Sequence, residues 1–541
     1  MKINDITINF SFKSEHIKNM SIFLEKYMIL ILSILLSLIS IGAFVFFYRN
    51  GLGLAYNDAR SHLDIGRRVV EGLKPGLAQL GSVWLPLPHL LMVPTIWNNF
   101  MWHSGLSGAL QSMISFVATG LLVYLFLKKL QVEMLGRLVG VFVWIANVNI
   151  LYMQSTAMTE LLLIGSMTAG IYYLFIWQQD EKILNIIKSA FWIMLATLNR
   201  YDGWLLLVWA FMAIGILTWK KYGYKKAEGM LLFFLTVGGV GIALWFLWNL
   251  LIFKDPLYFI FGPYSAHAQQ LQLSSAGVLP TKKDIILSSK VYYYALAYNT
   301  GLFTLILGAL GAVMLFIDKS LKLETKLVLS TLFAPLIFNI LALYLGFSVL
   351  YVQGISGNTL FNVRYGIMMA PSIAIFVGYL IHRAKNFRIF LIGVLLLFSF
   401  FFVGTGDAVT IDDARVGSSQ VNVTEVSSWL AIHAKNTPGF VLISAASHDA
   451  IIFSSNLPMS KFIHEGTGAY WISATKSPDR WARWIVMRTH DENDQTWKLV
   501  SKSIGFKRYV LVQHFPFADI YELKPEYSYQ LQTKPVFGKQ K

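Results

Sequence analysis

The chain has 541 residues, of which 55% are hydrophobic and 14% charged, and its mean hydropathy is +0.55. Soluble domains carry about 25% charged residues, so this composition excludes a soluble globular protein and predicts a polytopic membrane protein. The net charge of +16 lies in short basic clusters between apolar runs, which predicts membrane lipids rather than nucleic acid as partners, and the lack of cysteine excludes disulfide and thiol chemistry.

Eleven apolar runs are predicted to cross the membrane as helices. A span needs about 20 apolar residues, and somewhat fewer suffice where neighbouring helices shield the ends. The spans are placed near 28–48, 108–127, 136–152, 160–177, 183–199, 204–219, 229–252, 293–317, 326–350, 364–382 and 388–405. Segment 1–27 is polar and amphipathic, and the run after it has no small-residue cleavage site, so we expect an uncleaved anchor.

Basic residues orient the spans, because they cluster in alternate connections. All five clusters fall on one side if the N-terminal segment is cytoplasmic. The N-terminal segment contains Lys2, Lys13, Lys18 and Lys26. The five clusters are, in chain order, Lys128 with Lys129 and Arg137; Lys182 alone; Lys220 with Lys221, Lys225 and Lys226; Lys319 with Lys322 and Lys326; and Arg383 with Lys385 and Arg388. An odd number of spans then puts residues 406–541 outside the cytoplasm.

The long connections on the outer side have their own structure. Within the first, 49–107, a helix is predicted over 59–74 with Arg60, Arg67 and Arg68 away from its apolar residues, so it should lie along the membrane surface. The apolar segment 81–94 carries three prolines and is predicted to be interfacial or re-entrant. The loop 253–292 has the length expected of a lid.

Residues 406–541 are predicted to form a small extracytoplasmic α/β domain. The hydropathy falls after about residue 405, and strand-like and helical patterns then alternate. Helices are expected near 420–435 and 494–503, and strands near 440–445, 461–464, 484–488 and 509–513.

Asp58 is the first candidate for chemistry. It follows the first span, beside Asn57 and Arg60, at the predicted start of a helix, where the helix dipole and a guanidinium keep a carboxylate ionised. Such a carboxylate at the rim of the membrane could act as a general base for an acceptor hydroxyl. The structural alternative is an N-cap that satisfies backbone N–H groups.

The segment Tyr-Asn-Asp-Ala-Arg at 56–60, followed by Trp-Leu-Pro-Leu-Pro-His at 84–89, resembles the membrane glycosyltransferases of the GT-C superfamily. The aminoarabinose transferase and protein mannosyltransferase families are the most similar. The resemblance implies a GT-C-like fold and inverting transfer of a hexosyl or pentosyl group, outside the cytoplasm, from a polyprenyl phosphate to a glycan, lipid or protein, with the loop acid as base. The families have an acid doublet, but its first position is Asn57 here. Either Asp58 acts alone, or Asp64 or Glu160 supplies a second carboxylate.

Glu160 lies at the predicted outer junction of the third and fourth spans. A carboxylate at the edge of a span is costly unless it is paired or hydrated, so we expect Glu160 to face the site. Its placement corresponds to a second outer-loop acid in many members of the superfamily. We expect it to orient the acceptor or to support the site.

A cation is needed for the carrier's phosphate, which gains charge as the sugar departs. The resemblance implies a basic residue in the late loop, and Arg364, beside Tyr365, is the first choice, because arginine binds phosphate bidentately. The structural alternative is a boundary arginine that snorkels. Arg60 is the second choice. The substrate-binding or phosphate-binding candidates are Arg60, His62, Arg200, Asp202, Arg364 and Tyr365, and Arg200 could instead pair with Asp202 in its turn.

A divalent metal remains an open possibility. Asp58 and His62 are four residues apart and share a helix face, and His89 or His267 could complete a site. In the outer domain, Ser447-His448-Asp449 and His464-Glu465-Gly466 suggest a hydrolase. Contiguous residues on a strand point to opposite faces, so acceptor binding or packing is favoured there.

Two other classes of function compete with a glycosyltransferase. A transporter or flippase of a lipid-linked saccharide usually has ionisable residues near the bilayer midplane, whereas the acids here gather at the predicted outer ends of spans. A scaffold would not explain those acids. Among enzymes, an oligosaccharyltransferase catalytic subunit is the runner-up, although its Trp-Trp-Asp-Tyr-Gly signature is absent.

Overall fold

The structure is a computed structural model that describes residues 11–262, 265–275, 277–406, 408–416 and 420–536. Helices dominate residues 11–416, and the one sheet lies after them. The helices are α1 (Ser11–Arg49), α2 (Asn57–Val70), α3 (Leu87–Ile96), α4 (Asn99–His103), α5 (Leu106–Lys129), α6 (Met134–Ile145), α7 (Val148–Met153), α8 (Glu160–Asp180), α9 (Ile183–Thr197), α10 (Asp202–Tyr222), α11 (Tyr224–Gly238), α12 (Val240–Phe253), α13 (Tyr258–Phe261), α14 (Ala266–Ser275), α15 (Ile285–Thr300), α16 (Leu302–Ile317), α17 (Leu323–Leu329), α18 (Ala334–Leu345), α19 (Ala370–Arg383), α20 (Arg388–Gly404) and α21 (Val409–Val416).

Seven described helical stretches are long and apolar enough to cross a membrane, so the chain is a multi-pass membrane protein. They are Glu25–Arg49, Leu106–Lys129, Glu160–Asp180, Asp202–Tyr222, Leu323–Leu345, Val363–Arg383 and Lys385–Val416. The number rises to nine if each of two bent pairs is one span. These pairs are α11 with α12, bent by 49°, and α15 with α16, bent by 110°.

Two of the eleven predicted spans correspond to short helices. The segments predicted at 136–152 and 183–199 contain α6 and α9, which have 12 and 15 residues. Helices of this length are too short to cross a hydrocarbon core of about 30 Å unaided. The count of eleven therefore stays a prediction.

The helix predicted over 59–74 is α2, which ends at Val70. It has no exposed basic face, and its position along the membrane surface stays a prediction. Arg60 and Arg67 are buried together with the apolar residues of the helix. The cause is long-range packing: α3 covers one side of α2, and a helix from the C-terminal part of the chain covers another. At Gly66 an added Cβ would lie 3.4 Å from Met92 of α3, so the two helices are in close contact.

The predicted interfacial segment 81–94 contains the start of α3, whose second residue is Pro88. The predicted lid 253–292 contains α13, α14 and the start of α15, and its residues 263, 264 and 276 lie outside the described residues. Whether this segment closes over a substrate stays a prediction.

The C-terminal part contains a five-stranded sheet of order β2-β1-β3-β5-β4. Its strands are β1 (Phe440–Ile443), β2 (Phe462–Ile463), β3 (Ala482–Met487), β4 (Tyr509–His514) and β5 (Asp519–Leu523), and its helices are α22 (Gln420–His433), α23 (Ala445–Ser454), α24 (Ala469–Lys476), α25 (Pro478–Trp481) and α26 (Gln495–Val500). β1 runs parallel to β2 and β3, whereas β5 is antiparallel to β3 and β4. The four predicted strands are confirmed, and β5 was not predicted.

The α/β part is attached to the first long loop. Its α23 is the helix that packs against α2. The backbone N–H of Met459 donates to Glu71, just after α2, at 2.9 Å, and the Gln79 amide donates to the carbonyl of Gly466 at 2.7 Å. The segment that begins with Asn57 and Asp58 is therefore held between the helices and the α/β part.

Candidate active site

Three helices begin with an acid in their first turn, and these helix starts meet. Asp58 is the second residue of α2, Glu160 is the first of α8, and Asp202 is the first of α10. The N-terminal end of a helix carries a partial positive charge, so each position favours an ionised carboxylate. Two arginines link the three acids.

Arg364 is the centre of the site, because each of its guanidinium nitrogens faces a different carboxylate. Nη2 lies 2.7 Å from Asp58 Oδ2, Nε lies 3.0 Å from Glu160 Oε1, and Nη1 lies 3.9 Å from Asp413 Oδ2. The side chains of Glu160, Asp413 and Arg364 are 0%, 2% and 6% exposed, whereas that of Asp58 is 43% exposed. Asp58 is therefore the one carboxylate of the three that a ligand from outside could displace.

Arg200 forms the second link. Its Nη1 lies 3.3 Å from Glu160 Oε1 and its Nε lies 3.5 Å from Asp202 Oδ2, so the pairing suggested by the turn is present. The guanidinium of Arg200 also lies over the ring of Tyr365, at 4.8 Å from its centroid. We call Asp58, Glu160, Arg200, Asp202, Arg364 and Asp413 the acid–arginine cluster.

The backbone around Arg364 is held by close packing. Asn362 has φ +56°, a left-handed conformation that asparagine tolerates, and its amide donates to the Val349 carbonyl at 2.8 Å. Arg364 then lies in a 3-10 helix, Val363–Met369. At Gly366 an added Cβ would lie 2.2 Å from the Ala295 carbonyl oxygen, so only glycine permits α15 to come this close.

Two residues of the site were missed from the sequence. Asp413, on α21, accepts a hydrogen bond from the backbone N–H of Arg364 at 3.4 Å, and the ring of Tyr56 lies under the Arg364 guanidinium at 4.8 Å. The signal for Asp413 was available. It follows the last long apolar run, and the rule that singled out Glu160 applies to any acid at the edge of a span.

The match to known proteins is found in the structure and not in the sequence. No family model matches the sequence, and no curated protein matches it. Among solved structures, ArnT from Cupriavidus metallidurans bound to undecaprenyl phosphate is 10% identical with a TM-score of 0.55, and the match covers 91% of this chain and 98% of ArnT. Apo ArnT is 12% identical with a TM-score of 0.51, over 90% of this chain and 98% of ArnT. The chain has a GT-C fold.

A more distant match is the Archaeoglobus fulgidus oligosaccharyltransferase, at 10% identity and a TM-score of 0.47 over 88% of this chain and 71% of that protein. The GT-C-like fold that the resemblance implied is confirmed. A fold by itself hosts many activities, so what this chain does has to be argued from its own side chains.

Two histidines of the first long loop, His62 and His89, are buried. His62 Nδ1 lies 2.9 Å from His89 Nε2, and the ring of Trp84 lies against that of His62, with centroids 4.4 Å apart and planes tilted by 44°. Burial, together with the positive charges of Arg200 and Arg364, lowers the pKa of His62 to about 3. Burial also lowers the pKa of His89, so both imidazoles are neutral at pH 7.

The metal site considered from Asp58, His62 and His89 is not assembled. Asp58 is bonded to Arg364 and His62 to His89, and the described residues contain no group of three side chains suited to hold a metal ion. His267, on α14, lies between the rings of Phe261 and Phe347.

Other predicted residues have structural contacts. Asp64 Oδ1 accepts a hydrogen bond from the Trp102 indole at 3.1 Å, so the alternative of Asp64 as the second carboxylate gains no support, and Arg60 is buried within α2 and its neighbours. Glu160, the first residue of α8, is the acid that contacts Arg364 together with Asp58. Arg60 and Arg364 are both buried, so burial does not separate them, and the phosphate-binding role of Arg60 stays a prediction.

The motifs of the α/β part are also structural. His448 is buried, and its Nε2 lies 2.9 Å from Asp494, while the side chains of Ser447 and Asp449 lie outside the described residues. Glu465 binds the Ser444 hydroxyl and accepts a hydrogen bond from the backbone N–H of Ala445 at 2.8 Å. These contacts fix a loop after β1 and support packing over hydrolysis.

The ion pairs of Glu160 predict a stability effect. Glu160→Ala is expected to lower the free energy of unfolding by about 3 kcal/mol, because the buried guanidinium of Arg364 and the partly buried one of Arg200 each lose a carboxylate. The loss would be measured by unfolding in a denaturing detergent. Glu425→Ala, at an exposed position of α22, is the matched control and should change stability by less than about 0.5 kcal/mol. Equal stability of the two variants would contradict the buried network.

The low pKa of His62 predicts acid sensitivity. The unfolded chain binds a proton at His62 below about pH 6.5, whereas the folded chain does not until about pH 3. Stability is therefore lost as the pH falls through this window, by up to about 1.4 kcal/mol per pH unit. His62→Gln should reduce the difference in unfolding free energy between pH 7 and pH 5. The control is the same substitution at exposed His490. An equal difference in unfolding free energy between pH 7 and pH 5 in the wild type and in His62→Gln would refute the prediction.

Proposed function

We propose that the protein is a membrane glycosyltransferase that moves a sugar from a polyprenyl phosphate to an acceptor hydroxyl. The observation that carries the proposal is the pairing of half-exposed Asp58 with buried Arg364, whose other two carboxylate partners are buried. The arrangement places a base and a phosphate-binding cation in direct contact. The ArnT structure of the same fold contains undecaprenyl phosphate, which supports this class of donor.

Asp58 is the general base of the proposed reaction. The acceptor oxygen attacks the anomeric carbon, the bond from that carbon to the phosphate oxygen breaks, and the phosphate leaves with the electron pair. Asp58 takes the proton of the acceptor hydroxyl. Attack from the face opposite the phosphate inverts the anomeric configuration.

Arg364 binds the departing phosphate. Its guanidinium is permanently charged, and it stabilises the charge that grows on the leaving group. Without a ligand, its nitrogens are occupied by carboxylates, so the donor's phosphate competes with Asp58, the exposed partner. Donor binding would thus free Asp58 to accept the proton of the acceptor hydroxyl.

These two residues are supported by Glu160, Arg200 and Asp202 of the acid–arginine cluster and by Tyr365. Glu160 is bonded to both Arg364 and Arg200, and Arg200 is in turn held by Asp202. Tyr365 lies between the two guanidinium groups, at 4.8 Å from that of Arg200 and 5.3 Å from that of Arg364. We assign all four to keeping Arg364 in place. Arg200 serves as a second source of positive charge near the phosphate.

An apolar groove is available for the isoprenoid chain. It has a volume of about 440 Å³ and lies where α6, the bend between α15 and α16, and α20 meet, with Phe303, Phe398 and Phe402 in its wall. Asn147 lies at the groove and donates to the carbonyl of Asn299, whose amide donates to Val363, the residue before Arg364. Two hydrogen bonds in series therefore connect the wall of the groove to the residue before Arg364.

The proposal includes a membrane topology. We propose eleven spans, with α6 and α9 as short spans shielded by their neighbours, a cytoplasmic N-terminus and an extracytoplasmic α/β domain. The alternate basic clusters support this orientation. The acid–arginine cluster would then open on the outer face of the cell membrane.

The proposal is tested by incubating the purified protein with a panel of polyprenyl-phosphate sugars and with glycan, lipid and peptide acceptors. The measured quantity is the polyprenyl phosphate released together with label transferred to the acceptor. We expect one donor class to be consumed by the wild type and by Asp412→Asn, an exposed neighbour of the site. Transport of a lipid-linked saccharide across vesicles with no turnover would instead support a flippase.

A further inference from the structure

Asp413 joins three segments that are distant in the sequence. Its Oδ2 lies 3.0 Å from the Tyr56 hydroxyl, two residues before Asp58, and 3.4 Å from the backbone N of Arg364. The same oxygen lies 3.9 Å from Arg364 Nη1. One buried carboxylate oxygen therefore touches both the segment that carries the proposed base and the arginine that binds phosphate.

The Tyr56 hydroxyl has one proton for two acceptors. It lies 2.8 Å from the carbonyl of Thr410 and 3.0 Å from Asp413, and both acceptors belong to α21. Burial and the negative charge of Asp413 raise the pKa of Tyr56, so the hydroxyl keeps its proton and remains a donor. The ring of Tyr56 meanwhile supports the guanidinium of Arg364 from below.

The helix that carries Asp413 is itself anchored. The Asn149 side-chain oxygen accepts hydrogen bonds from the backbone N–H and the hydroxyl of Thr410, at 3.0 and 2.8 Å. The Asn149 amide donates to Asn299 at 3.1 Å. Asp413 thus extends from a fixed helix and not from a loose loop.

We propose that Asp413 is a positioning residue for the transfer, holding Arg364 and the Tyr56–Asp58 segment at a fixed spacing. The proposal rests on the glycosyltransferase function proposed above. When the donor's phosphate displaces Asp58 from Nη2, Asp413 and Glu160 remain on the other two nitrogens and keep the guanidinium oriented. Asp413 touches neither the sugar nor the acceptor, so it acts on donor binding through Arg364.

Asp413→Asn retains the size of the side chain and an acceptor for Tyr56 but removes the charge. It is expected to raise the KM for the donor about tenfold, the scale of one charge-assisted contact, with kcat changed less than about threefold and the KM for the acceptor unchanged. The control is Asp412→Asn, whose exposed side chain is adjacent in sequence. It should retain wild-type values for all three parameters.

Tyr56→Phe provides the second variant, because it removes only the hydroxyl that contacts Asp413. It should raise the donor KM in the same direction and by less. The double variant Asp413→Asn/Tyr56→Phe should show less than the sum of the two effects, since Asp413→Asn weakens the hydrogen bond between these two residues and Tyr56→Phe removes it. If Asp413→Asn does not fold, an unchanged donor KM in Tyr56→Phe would overturn the proposal.

The outcomes separate this proposal from the function on which it rests. A wild type that turns over no donor refutes the proposed function. If the wild type turns over the donor and a folded Asp413→Asn variant has an unchanged donor KM, only the positioning role is overturned. Equal increases in the KM for donor and acceptor, together with a lower unfolding temperature, would assign Asp413 to fold stability alone.

Discussion

Asp58→Asn is expected to reduce kcat for sugar transfer by about 10²- to 10⁴-fold, the range of a lost general base. Asparagine has nearly the size of aspartate and can still accept a hydrogen bond from Arg364, but it cannot take the proton of the acceptor hydroxyl. Because the carboxylate that competes for Arg364 is gone, the KM for the donor should stay the same or fall. Initial rates at varied donor concentration separate the two parameters.

The matched control for this variant is Asp412→Asn, which removes an exposed carboxylate from the segment that carries Asp413. Its kcat should be that of the wild type. Asp58 is 43% exposed, so its replacement should leave the unfolding temperature unchanged. A kcat within threefold of the wild type in Asp58→Asn would remove Asp58 from the mechanism and leave Glu160 as the acid to test next.

Arg364→Lys is expected to reduce kcat/KM for the donor by about 10²- to 10³-fold, most of it through KM. Lysine keeps the charge but presents it as a single point, so it cannot contact Glu160, Asp413 and a phosphate from three nitrogens at once. Kinetics with donor and acceptor varied in turn measure the effect. Arg480→Lys, at an exposed position of the α/β domain, is the control and should leave kcat/KM for the donor unchanged.

A second substitution separates binding from folding. Arg364→Gln removes the charge and leaves Glu160 and Asp413 buried with one cation fewer, which should cost about 3–5 kcal/mol of stability. Arg364→Lys should cost clearly less. A lysine variant that is fully folded and binds the donor as tightly as the wild type would show that the phosphate lies elsewhere.

The membrane part could be predicted from hydropathy, because long apolar runs and alternate basic clusters are properties of local sequence. Glu160 could be singled out for the same reason, as a charge beside an apolar run, whereas Arg364 was chosen because the resemblance implies a basic residue in the late loop. The number of spans could not be fixed. α6 and α9 are short, and whether such a helix crosses the membrane depends on neighbours that the sequence does not specify.

Two other features depend on contacts between distant segments. The periodicity of α2 suggested a surface helix, but α23 begins almost 400 residues later and covers it, so Arg60 and Arg67 are buried. Asp413 escaped notice because its importance comes from Tyr56 and Arg364, more than 350 and 49 positions away in the chain. Strand β5 was missed because it has only five residues, Asp-Ile-Tyr-Glu-Leu, and they do not alternate strictly between polar and apolar.

The most direct measurement is a structure of the protein with a polyprenyl phosphate bound. The account predicts a phosphate oxygen within hydrogen-bonding distance of the Arg364 guanidinium, Asp58 turned away from Nη2, and Glu160 and Asp413 in their present positions. The isoprenoid chain should enter the groove lined by Phe303 and Phe398. A phosphate bound at another site, with the contact between Asp58 and Arg364 intact, would contradict the account.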